Sequence, residues 1–67
     1  MSDGFEKPEC KLIGENGNIF NLMGIAVRTL KQAGYQDKAN EMNDRIIEEA
    51  GSYDAALAII QEYVEVV

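Results

Sequence analysis

The sequence predicts an all-α fold, a compact three-helix domain carrying a short extended N-terminal segment. Three observations point there. Apolar residues recur at the helical period over three successive stretches, a polar capping residue stands before each stretch, and a glycine lies in each connection. With helices expected at about 18–33, 38–50 and 53–66, the connections are only a few residues long, which suits packed neighbours in a bundle.

In the first helix Ile19, Phe20, Met23, Ala26, Val27, Leu30 and Ala33 form one stripe at 100° per residue. Asn18 precedes it, and its side-chain oxygen suits the exposed N–H groups of a first turn. Gly34 follows, where a left-handed cap favours glycine, and Tyr35 is placed to fold back onto the helix end. The second helix takes Asp37 as its cap and Gly51 as its stop. Its apolar face is narrow, made of Ala39, Met42, Ile46 and Ala50 and widened by Ile47. Glu41–Arg45 and Arg45–Glu49 are i,i+4 pairs on its solvated side, each adding a few tenths of a kcal/mol.

Ser52 caps the third helix, and Asp54 in its first turn complements the helix dipole. Tyr53, Ala56, Leu57, Ile60, Tyr63, Val64 and Val67 make its main stripe. A second strip, Ala55, Ile59 and Val66, lies roughly 100–140° from the centre of the first at helical periodicity. On the first helix Leu22 flanks the stripe and Ile25 points nearly opposite it. These five residues, Leu22, Ile25, Ala55, Ile59 and Val66, are the candidate protein interface. Either the N-terminal segment covers part of this surface or a second subunit does, because periodicity does not separate burial within a chain from burial between chains.

Residues 1–8, with Gly4, Pro8 and no periodicity, read as a flexible tail, and 9–67 as the single helical domain. Within it "CKLI", Cys10 to Ile13, is a strand-like segment too short to stand without support. The loop "GENGN" then carries two readings. Backbone N–H groups at a helix start form an anion site, which makes Gly14, Asn16, Gly17 and Asn18 a candidate ligand loop. The turn chemistry favours the other reading: Asn16-Gly17 forms a tight turn with positive φ and Asn18 caps the helix. No Lys or hydroxyl follows Gly17 as a phosphate loop requires, and the acid spacing of a calcium loop is missing. Gly24, in mid-helix, costs on the order of 1 kcal/mol against Ala. Close approach of the "CKLI" backbone is the expected reason for it.

Composition narrows the chemistry further. Sixty-seven residues make one small domain, whose core supplies roughly 3–5 kcal/mol of net stability, so tight packing or self-association is expected. The one cysteine, Cys10, has no partner for an internal disulfide. No histidine is present to activate that thiol or to complete a zinc set. Neither a metal nor a cofactor is expected. The carboxylate pairs Glu48/Glu49 and Glu62/Glu65 fall on solvated helix faces, without the cleft that would drive their pKa values apart, so no enzyme is expected.

Twelve acidic against six basic residues leave a net charge of −6, which repels phosphate backbones and disfavours nucleic acid as a partner. A helix-turn-helix reading fails for the same reason. Arg28, Lys31, Lys38 and Arg45 cluster around the first turn, but Glu41, Asp44, Glu48 and Glu49 outnumber the cations on the second helix. The start of the chain has no secretion pattern, and no run nears the roughly 20 apolar residues of a membrane span, so a cytoplasmic location is expected.

The segments "KLIGENGNIFNLMGIAVRTLKQAG" and "GSYDAALAIIQEYVEV", together about residues 11–66, resemble a group of small bacterial and bacteriophage or mobile-element proteins. These share a G-x-[DN]-G-N-x-F-x-[LIM]-x-G pattern, a basic helix and a later GSYD motif. The resemblance implies an accessory role in a phage or mobile element and adds weight to Gly17, Asn18, Phe20 and Gly24. It transfers no catalytic or ligand residue. The expected function is a non-catalytic helical protein-interaction module that forms homo-oligomers. The alternatives are an acidic inhibitor or nucleic-acid mimic occupying a basic groove on a host protein, or a small-ligand binder using the Gly14–Asn18 loop.

Overall fold

Three helices lie between two very short strands in the computed structural model, which describes residues 5–67. In chain order these are β1 (Glu9–Cys10), α1 (Ile19–Gln32), α2 (Gln36–Glu49), α3 (Tyr53–Tyr63) and β2 (Glu65–Val66). The three predicted helices are therefore present. Their ends show which local signals acted.

Asn18 is extended, and its Oδ1 accepts the Phe20 N–H at 2.8 Å, so α1 starts where the cap requires. At the other end Gly34 takes φ +89°, its N–H bonding the Lys31 carbonyl while the Tyr35 N–H bonds that of Leu30 at 2.8 Å. This paired closure satisfies the last carbonyls of α1. It also delivers Tyr35 directly into the N-cap position of α2, which begins at Gln36, two residues before the predicted start. Asp37 consequently sits in the first turn and caps nothing. Ser52 Oγ accepts the Ala55 N–H at 3.2 Å and starts α3 as predicted.

Helix α3 stops at Tyr63, short of the predicted 66, because Val64 turns extended at φ −135° and ψ 154°. Val64, Val66 and Val67 are β-branched, and the extended chain suits their restricted rotamers. β2 then pairs in parallel with β1, Glu65 opposite Glu9 and Val66 opposite Cys10. Pro8 and Cys10 carbonyls accept the N–H groups of Glu65 and Val67 at 2.9 and 3.0 Å. A parallel pair needs a long crossover, and here the whole helical hairpin and α3 supply it. Of the predicted tail, residues 1–4 lie outside the described residues. Phe5, by contrast, sits edge-on to Tyr35 with ring centroids 4.8 Å apart.

The core draws Leu22, Ala26 and Leu30 from α1, Ala39, Met42 and Ile46 from α2, and Ala56, Ile59, Ile60 and Tyr63 from α3. Cys10, Leu12 and Val64 close it from the strand side. The stripe on α1 is thus rotated from the predicted one. Leu22 is central, and Phe20, two residues and about 200° away, is left outside. Ile47, predicted to widen the core face of α2, is outside as well. Among the described residues no helix is long and apolar enough to cross a membrane.

Gly24 overturns an expectation. A Cβ built there meets nothing within 4 Å, so no neighbouring backbone requires the glycine. Gly24→Ala is accordingly predicted to raise stability by about 0.5–1 kcal/mol, read from the urea midpoint; a lowered midpoint would contradict this. Ile60→Ala empties the centre of the core, at a cost of about 2–5 kcal/mol. That loss rivals the roughly 3–5 kcal/mol available to a domain of this size. The variant is predicted to lose most of its helical dichroism at 25 °C.

Candidate functional site

The residues predicted to form an interface do not form one surface. Leu22 and Ile59, at 4% and 6% exposure, belong to the core. Ile25, Ala55 and Val66 are half-buried, Ile25 and Val66 packing against that core. The strand-side segment does this covering. Cys10 Sγ lies 3.4 Å from Thr29 Oγ1, whose hydroxyl also donates to the Ile25 carbonyl at 2.9 Å. Of the predicted second strip of α3, Ile59 is a core residue, Val66 lies beyond the helix in β2, and Ala55 stays half-buried.

The Gly14–Asn18 loop is a helix start. Positive φ falls at Gly14 (+90°) and not at Gly17, which corrects the predicted turn by three residues. Asn16 Oδ1 accepts the Asn18 N–H at 2.9 Å, and the Asn16 carbonyl accepts from Asn21 Nδ2 at 2.9 Å. With Asn18 holding Phe20 as well, both asparagines of the loop are spent on the loop itself and the first turn of α1. Gly17 lies beside the start of α3, where a Cβ would stand 3.7 Å from Tyr53 Oη.

Beside that loop the molecule leaves an open apolar groove of about 380 Å³. Ile19, Phe20 and Met23 of α1 form one wall, and Ile46 and Ile47 of α2 with its C-cap Ala50 the second. Tyr53 and Ala56 of α3 close the end. Phe20 is 78% exposed, Ile47 70% and Tyr53 45%. Sequence reasoning placed these three in the core. The available signal was a shared offset: Phe20 and Ile47 each follow a groove residue, Ile19 or Ile46, by one position, hence by 100°. The volume falls within the roughly 300–1,000 Å³ of ligand sites, and the lining is apolar apart from Ser52, whose hydroxyl caps α3.

Among the described residues no charged side chain lines the groove. Within four positions of its lining residues in the sequence stand Glu15, Asp44, Glu48, Glu49 and Asp54, and the one cation Arg45. Arg45 is held elsewhere. Its Nη1 and Nη2 reach Glu62 at 2.7 and 3.3 Å across the α2–α3 interface, and its Nε stands 3.5 Å from Glu49. Arg45 also donates to Tyr63 Oη at 3.3 Å, and that hydroxyl donates to Glu41. This cluster ties the two helices together through side chains that bond one another. The Arg45 bond holds the Glu62 carboxyl below the usual range, while burial pushes the Tyr63 phenol up.

Among the described residues, no group of three or more His, Cys, Asp or Glu side chains is placed to hold a metal ion. Set against family models, curated proteins and solved structures, the chain matches none.

The clasp predicts a pH profile. Tyr63 is held neutral in the folded chain, so its contribution is complete below the ordinary phenol pKa of about 10 and declines as pH rises above it. Glu62 is held ionised, so its contribution is present above the usual carboxyl range and declines as acid protonates it. Tyr63→Phe is predicted to cost about 1 kcal/mol at neutral pH. It should also flatten the alkaline fall in urea midpoints relative to wild type, whereas Glu62→Gln should flatten the acid limb. An unchanged alkaline slope in Tyr63→Phe would refute the assignment.

Proposed function

We propose that this chain is a non-catalytic protein-interaction module whose binding surface is the groove between the start of α1, the end of α2 and the start of α3. One observation carries the reading. Phe20, Ile47 and Tyr53, large apolar side chains from three different helices, stand exposed around one concave surface. Scattered exposed apolar residues need no explanation, but a contiguous set around a groove is the usual mark of a binding site.

The reading moves the interface. Self-association through Ile59 and Leu22 loses its surface, since both are core residues. The resemblance carried by Gly14–Gly24 and the later GSYD motif supports an accessory role in a phage or mobile element, acting in the cytoplasm.

The test is site-specific photocrosslinking in the source cell. The benzophenone amino acid p-benzoylphenylalanine is placed at position 20, at position 47, or at the exposed Gln36 outside the groove. Protein adducts are predicted from positions 20 and 47 and not from 36. Equal adduct patterns at all three positions, or none at any, would defeat the proposal.

A further inference from the structure

We propose that Asn16 is a site of self-modification: the backbone nitrogen of Gly17 closes on its side-chain amide, and the ring opens to aspartate and isoaspartate. This stands apart from the groove and uses only the loop before α1. Asn16-Gly17 is the one Asn-Gly pair in the chain. Both residues are exposed, and Gly17 stands ahead of the first residue of α1, outside the helix ladder. Without a Cβ, Gly17 leaves the approach to its nitrogen open. The other asparagines are placed differently. Asn18 is followed by β-branched Ile19, which crowds the attack. Asn21, Asn40 and Asn43 lie inside helices, where the next N–H is committed to the ladder, as that of Leu22 is to the Asn18 carbonyl at 3.0 Å.

The fold also supplies a donor for the step. Asn16 Oδ1 accepts the Asn18 N–H at 2.9 Å. Ring closure moves negative charge onto that oxygen, so the bond that shapes the loop also stabilises the charge as it develops. The Asn16 carbonyl accepts from Asn21 Nδ2, which holds residue 16 against the start of α1. In the reaction a bond forms between Gly17 N and Asn16 Cγ. The Gly17 N–H proton passes to solvent, and the side-chain NH2 takes up a proton and leaves as ammonia. Water then adds to either carbonyl of the imide. Opening at Cγ gives aspartate, and opening at the former main-chain carbonyl gives isoaspartate; nothing is oxidised or reduced. Either product places a new negative charge near the positive end of α1. Aspartate keeps the acceptor for Asn18, whereas isoaspartate lengthens the backbone by one carbon and reassigns the two oxygens that Asn18 and Asn21 hold.

The test holds the full folded chain at neutral pH and physiological temperature and follows each asparagine over days by peptide mapping in a mass spectrometer. Exchange of NH2 for OH is predicted at Asn16 ahead of every other asparagine, with aspartate and isoaspartate both present. The rate is predicted to be at least as high in the folded chain as in urea, because the Asn18 N–H is held on Oδ1 only in the folded loop. Gly17→Ala should slow the reaction about tenfold. Its φ is not positive and a Cβ there stands 3.7 Å from Tyr53 Oη, an ordinary contact, so this variant is expected to fold. Asn18→Pro removes the N–H at a φ of −61°, which proline adopts, and should slow the reaction about threefold or more. Asn18→Ser keeps the N–H and a capping hydroxyl and should leave the rate unchanged. Dichroism verifies that each variant folds, and the comparison of folded chain with urea needs no variant. A folded chain that reacts more slowly than the unfolded one would overturn the proposal. So would aspartate without isoaspartate, or Asn18→Pro reacting as fast as Asn18→Ser.

Discussion

The pairing of Glu9–Cys10 with Glu65–Val66 governs which apolar surface this chain hides and which it leaves open. Two strands of two residues have no stability of their own. They persist because the pairing carries Cys10, Leu12 and Val64 into the core, each almost wholly buried. That layer lies on the side of α1 that presents Ile25 and Thr29, and it joins the cluster that contains Leu22 and Ile59. Phe20 and Ile47 lie outside that cluster and stay exposed among the described residues.

This division explains what could be read from the sequence. Helix existence and most helix ends are local matters: Asn18 and Ser52 accept from their own first turns, and Gly34 takes the left-handed conformation its position requires. Such signals act over four or five residues and are visible in a string of letters. Asp37 misleads because the closure of α1 at Gly34 and Tyr35 starts α2 before Asp37 is reached, with Tyr35 at the N-cap although its side chain makes no capping bond. Gly14, not Gly17, takes positive φ for a similar reason: Asn16 and Asn18 bond forward, and the chain bends before them.

The site was far less readable. Each helix carries more apolar residues than one face can bury, and periodicity ranks strips by width without saying which neighbour covers them. Ile59 and Phe20 exchange places on that account: the predicted interface residue is core, and the predicted core residue is surface. The deciding fact is where residues 64–67 go after α3, set by a pairing partner more than fifty positions earlier. No local pattern holds that information.

The groove is built from helix ends, and this links binding to folding. The walls meet only when α1, α2 and α3 are packed, so the unfolded chain has no equivalent surface. The capped starts of α1 and α3 fix the backbone there, and the Arg45–Glu62–Tyr63 clasp holds α2 against α3, so the groove is largely formed before anything enters it. A partner that binds only the folded form adds stability by mass action, about 2.7 kcal/mol at one hundred times its Kd. Against the roughly 3–5 kcal/mol of a domain this small, that increment is comparable to the fold's own stability. Covering Phe20, Ile47 and Tyr53 in this way would extend the apolar cluster that the three helices already share.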